Sequence, residues 1–188
     1  LVAALALLAA GCGGSAKPKA PPDLVFVSTK NKDYALFGAS ADGSARYRLT
    51  KEKGDASTPE GLFFQIDPAW SPDATKIAFA SARDGHMHLF AMAADGTGTR
   101  RLTDSSQDDS HPSWSPDGRW IVFSREGALF RIPAGGGKAT RIGRGFGSAQ
   151  DPAYSPDGKL IAYDYRKPGF RNRELYVMGA DGTGIRQV

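Results

Sequence analysis

Three aspartates recur in one short frame: Asp73 after Ser71 and Pro72, Asp117 in Ser115-Pro116-Asp117-Gly118, and Asp157 in Ser155-Pro156-Asp157-Gly158. Carboxylates repeated at even spacing could serve as general acids and bases or hold a hard cation. Their setting gives them another task. Ser opens a type I turn, Pro presets its second corner, and Gly takes the left-handed conformation, so all three carboxylates read as turn structure. His86 and His88, two apart on an expected strand, would project from one face and could share a metal, but no third ligand stands near them in sequence. His111 occupies the place that Asp67 and Asp151 hold in the other copies of its repeat, and reads first as a substitution within that repeat.

Other chemical motifs fail on inspection. Gly38-Ala39-Ser40-Ala41-Asp42 has Asp where a nucleophile elbow needs its last glycine. Gly137-Lys138 has Ile132 in place of the leading glycine of a phosphate loop and Ala139 in place of its hydroxyl residue. Gly143, Gly145 and Gly147 alternate outside any βαβ context and read as a loop. The expectation is no catalytic residue, no metal site and no cofactor.

The elements that carry these residues repeat. DPAWSPDATKIAF (67–79), HPSWSPDGRWIVF (111–123) and DPAYSPDGKLIAY (151–163) align without gaps, at spacings of 44 and 40 residues. A second element recurs in phase: LFGASADGSARYRLT (36–50), LFAMAADGTGTRRLT (89–103) and LYVMGADGTGIRQV (175–188), with a degraded version at 129–142. Each unit reads as four short antiparallel strands: one ending in an aromatic (Trp70, Trp114 or Tyr154), a β-rich strand after the turn, a third ending at Asp-Gly, and a basic fourth. Such a period of ~40–45 residues is that of a propeller blade. The fold class is therefore all-β, a propeller of about four four-stranded blades (24–50, 67–103, 111–142, 151–188) with an insertion at 51–66. Blade one begins at its second strand, LVFVS, and the chain stops at Val188 inside a fourth strand, so an incomplete ring is expected. Ala74 stands where the other turns have Gly118 and Gly158, which should weaken that hairpin or change its turn. The recurring aromatics Phe79, Phe123 and Tyr163 read as blade core.

The first residues read as an address. LVAALALLAA is too short to span a bilayer, which needs ~20 apolar residues, but suits the apolar core of a signal peptide. Leu8-Ala9-Ala10-Gly11-Cys12 resembles a bacterial lipobox, with Ala9 where leucine is commonest. Cys12, the sole cysteine, can form no internal disulfide and is expected to carry a lipid. This divides the chain into a signal peptide (1–11), a lipidated Cys with a Gly/Ser/Pro-rich tether (12–22) and the blades (23–188). The absent initiator Met and basic flank lead to the expectation that the sequence starts late.

Net charge is +4, from 24 basic and 20 acidic residues. The basic residues are scattered near strand ends and read as a solvated surface. No recognition helix, zinc-finger spacing or aromatic RNA-binding signature is present, so nucleic acid is not an expected partner.

Through the WSPDG hairpin and the DGTG…RLT ending, residues 24–188 resemble the TolB-like, WD-type β-propeller family. The resemblance implies a propeller that binds other envelope proteins. The expected function is a non-catalytic, lipid-anchored scaffold in the bacterial cell envelope, facing the periplasm or the exterior and binding a protein or glycan. The alternative is a fragment of an enzyme, since similar propellers gate prolyl-oligopeptidase-type peptidases and others resemble oligosaccharide lyases, with the catalytic part elsewhere.

Overall fold

A computed structural model describes residues 21–29, 34–50, 65–83, 85–143 and 147–188. The expected signal peptide and Cys12 lie outside them, as does most of the tether and of the 51–66 insertion.

The described residues form fifteen strands and no helix. β1 (Leu24–Ser28), β2 (Ala35–Ala39) and β3 (Arg46–Arg48) make a three-stranded sheet. Three four-stranded sheets follow. The first holds β4 (Gln65–Trp70), β5 (Lys76–Ser81), β6 (His88–Ala93) and β7 (Arg100–Arg101). The second holds β8 (Asp109–Trp114), β9 (Trp120–Arg125), β10 (Ala128–Pro133) and β11 (Thr140–Ile142). The third holds β12 (Ser148–Tyr154), β13 (Leu160–Arg166), β14 (Glu174–Gly179) and β15 (Arg186–Gln187). Every pairing is antiparallel and follows chain order, which makes each sheet a propeller blade. The four form an open arc, and β4, β8 and β12 lie side by side at its inner edge.

Local chemistry builds the hairpins. In blade three Gly118 N–H donates to Ser115 C=O at 2.9 Å, closing a type I turn with Gly118 at φ 69°. Ser115 Oγ accepts from Trp120 N–H at 3.0 Å, and Asp117 accepts from Arg119 N–H at 3.0 Å. Blade four repeats this with Ser155, Pro156, Asp157 and Gly158. Blade two builds the same turn, with Ala74 N–H on Ser71 C=O at 2.9 Å and Ala74 at φ 55°. The missing glycine thus leaves the turn type unchanged, because seven local hydrogen bonds around Ser71 and Asp73 hold the corner against the strain of a left-handed Cβ. The Leu-Thr endings have a local reason too. Thr50 and Thr103 accept at Oγ1 from the N–H of Leu36 and Leu89, at 3.2 and 3.0 Å, and fasten each outer strand to the third.

Packing follows the period of two. In β5, Ile77 and Phe79 face blade one while Ala78 and Ala80 face blade three, and all four are fully buried. The small alanines make room for Trp114, which packs on them from the next blade. Blade three divides likewise, with Ile121 and Phe123 toward blade two and Val122 toward blade four. The core is therefore a series of interfaces between blades.

The inner strands reach a little upstream of the repeat motif: Gln65 and Ile66 pair with Ser81 and Ala80, and β8 and β12 begin at Asp109 and Ser148. Each inner strand runs through a bulge just before its proline, so pairing resumes upstream of it.

Candidate functional site at the inner edge

The residue before each inner-strand proline is left-handed: Asp67 at φ 54°, His111 at 53° and Asp151 at 51°. A non-glycine residue in this region carries strain, and a pre-proline residue ordinarily stays extended. The bulge enforces the conformation in all three blades and brings the three side chains together.

His111 lies between the two carboxylates. Its Nε2 is 3.1 Å from Asp151 Oδ1 and 3.7 Å from Asp67 Oδ2, and its backbone N–H donates to Asp67 Oδ2 at 3.2 Å. Ser110 Oγ is 2.8 Å from His111 Nδ1. The carboxylates at Nε2 place the ring proton there, leaving Nδ1 to accept from the Ser110 hydroxyl. Three blades thus contribute to one polar string, Asp67–His111–Asp151, with Ser110 attached. His111 and Asp67 are about three-quarters buried and Asp151 is half exposed, so the string meets solvent at Asp151. Such an arrangement can hold hydrogen-bond donors and cationic groups, and can relay a proton from Ser110 toward a carboxylate.

The other expected residues fall elsewhere. Asp73, Asp117 and Asp157 sit on separate hairpins. Each carboxyl is held below the usual aspartate range first by its own Ser hydroxyl and then by a backbone N–H two residues on, and for Asp73 the value falls to about 2. The His86 and His88 rings lie edge to face with centres 6.3 Å apart but differ in burial: His86 is exposed 3.7 Å from Asp108, while His88 is buried and accepts at Nε2 from Arg101 at 2.8 Å. Among the described residues no group of three or more His, Cys, Asp or Glu is placed to hold a metal. The meeting of Asp67 and Asp151 through His111 was not evident in the sequence. Its one signal was a polar residue before proline at the same place in three repeats.

Residues 62–188 match the family model described as the TolB beta propeller domain. This chain belongs to that family. A TolB homolog of Chlorobium chlorochromatii is 33% identical over 134 residues, covering 53% of this chain and 30% of that protein. A Bacillus subtilis protein described as an uncharacterized peptidase, YuxL, is 40% identical over 76 residues, covering 40% of this chain and 12% of its own length. The crystal structure of TolB from Acinetobacter baumannii shares the fold, with a TM-score of 0.71 at 24% identity over 87% of this chain and 39% of that one. The chain thus spans less than a third of either relative. What the matches share with this TolB-type chain is the repeated blade.

Proposed function

We propose that this chain is a lipid-anchored, non-catalytic propeller of the bacterial cell envelope that binds a protein or glycan partner at the inner edge of its arc. The observation that carries the reading is the convergence of Asp67, His111 and Asp151 from three blades at one exposed edge. Strained polar residues concentrate at working sites, and here the strain recurs wherever the string needs a side chain. The resemblance to TolB-like propellers, which implies binding of other envelope proteins, supports this role, and the lipobox-like run ending at Cys12 would supply a means of tethering.

The test has two arms. Metabolic labelling with an alkyne fatty acid should mark the chain and be abolished by Cys12→Ala, with release from the membrane fraction. A photo-crosslinking residue at position 151 should capture an envelope component, and one at Arg186 on an outer strand should not. Absence of label removes the anchor, and equal capture at both positions removes the inner edge.

The second reading is the propeller of a larger enzyme, favoured by the similarity to YuxL, of which this chain covers 12%. Ser110, His111 and Asp151 stand in the order of a hydroxyl–imidazole–carboxylate relay. Labelling of Ser110 by a fluorophosphonate would replace the scaffold reading with this one.

A further inference from the structure

The hairpins that join the second and third strands of the blades differ in length. Glu126 and Gly127 alone join β9 to β10, whereas residues 167–173 join β13 to β14. Pro168 and Gly169 are the corners of a turn closed by Phe170 N–H donating to Lys167 C=O at 3.2 Å, with Gly169 at φ 82°. Beyond its chain neighbours, no atom lies within 4 Å of where a Gly169 Cβ would stand, so the turn projects into solvent. Phe170 follows it and is 66% exposed.

We propose that this hairpin docks blade four on an anionic phospholipid surface, with Phe170 in the interface and the flanking cations at the level of the phosphates. Residues 166–174 hold Arg166, Lys167, Arg171 and Arg173 against Glu174. Two of the cations brace the base of the hairpin. Lys167 Nζ is 3.3 Å from the Glu174 carboxylate, and Arg173 donates to the hydroxyl of Ser148 at 3.2 Å. Arg166 and Arg171, on either side of Phe170, are exposed and form no ion pair among the described residues. A phenyl ring has no polar atom and gains by leaving water, while free guanidinium groups gain by meeting phosphate. A phospholipid interface supplies hydrocarbon and phosphate within a few ångströms of each other. A soluble polyanion would satisfy the arginines and offer Phe170 much less apolar surface.

The charge is local to this hairpin. The matching turn of blade three carries Glu126, and in blade two His86 lies 3.7 Å from Asp108. The end of blade four therefore makes the contact. Phe26 pairs with Phe37 as Tyr163 pairs with Tyr176, so β1 runs in the direction of β13. Asp23, whose carboxylate accepts from Ala41 N–H at 2.9 Å, thus enters blade one at the end away from the hairpin. A blade is about 20 Å from end to end, and the stretch from Cys12 to Pro22 can reach ~35 Å, so an anchor at Cys12 leaves the hairpin free to touch the same surface. The contact does not depend on that anchor or on what the inner edge binds.

The probe is the full chain with Cys12→Ala, which removes any acyl chain and leaves no other cysteine. It is floated with vesicles of phosphatidylcholine alone and of equal parts phosphatidylcholine and phosphatidylglycerol. The apolar residues at the N-terminus can enter either vesicle, so the readout is the preference for the anionic one. That preference is expected to be about tenfold or more, and to vanish when Arg166→Glu and Arg171→Glu are combined. Phe170→Ser should weaken binding to anionic vesicles about fivefold. In the same background a polarity-sensitive dye on Phe170→Cys should shift to the blue with anionic vesicles, and one on Lys159→Cys, at the opposite end of the blade, should not. All these positions are exposed, and the dye reports the contact even if a charge variant folds poorly. No anionic preference, indifference to the variants, or equal shifts at 159 and 170 overturns the proposal. Tighter binding of a soluble acidic polysaccharide, lost in the same arginine variant, would assign the hairpin to a glycan and overturn the membrane as its partner.

Discussion

The indole N–H of Trp114 donates to the carbonyl oxygen of Ala69 at 3.2 Å, so the aromatic that ends one inner strand is fastened to the inner strand of the blade before it. The same ring packs against Ala78 and Ala80. One side chain therefore supplies both apolar contact and a directed bond across an interface between blades.

Trp114→Phe keeps most of the ring and loses the bond, leaving the Ala69 carbonyl without its donor. The expected loss is about 1–2 kcal/mol, against roughly 3–5 kcal/mol for Trp114→Ala, which also opens a cavity. Urea denaturation of the two variants should separate them by their midpoints. Equal losses would show that the bond contributes nothing beyond packing.

Ala74 should be a position where glycine stabilises. At φ 55° its Cβ is strained, while Gly118 and Gly158 hold the same corner at 69° and 70° without that strain. Ala74→Gly is expected to raise stability by about 0.5–1 kcal/mol, and Gly118→Ala to lower it by about 1 kcal/mol. Thermal melts of the pair check both signs.

Acid should weaken the hairpins in a defined window. Serine hydroxyls, followed by backbone N–H groups, hold Asp73, Asp117 and Asp157 below their ordinary range. Stability from a depressed carboxyl is complete above its unfolded value, near ~4, and is lost as pH falls through the folded value. Tm should therefore be level from pH 7 to 5 as far as these groups are concerned, and fall between about pH 4 and 2. Replacing Ser71, Ser115 and Ser155 together by Ala should flatten that fall. An unchanged slope in the triple variant would refute the assignment.

His111→Asp would restore the repeat's own residue and set three carboxylates in a row. At pH 7 and low salt the variant should lose about 1 kcal/mol, the partial exposure of Asp67 and Asp151 keeping the effect small. Salt at ~1 M, where the screening length is about 3 Å, should recover most of it. A loss indifferent to salt would point to packing of the imidazole as the cause.

The hairpins were legible because the chemistry that forms them is confined to six residues: Ser115 to Trp120 contains the turn, its hydrogen bonds and its left-handed glycine. The blade starts were less so. The repeat alignment starts at Asp67, whereas the bulge carries the strand across Pro68 with Asp67 at φ 54° and pairing resumes at Ile66. Nor did the spacing of His86 and His88 show that one would be exposed and the other buried against Arg101.

The sequence by itself determined the blade: turn residues, alternation and a repeat of 40 to 44 residues are local or periodic quantities, and each hairpin closes within reach of its own side chains. The tertiary structure decided what the blades bring together. Asp67, His111 and Asp151 meet only because neighbouring inner strands lie side by side. Contacts between units 40 residues apart depend on how the sheets stack about one another, and no single repeat carries that geometry.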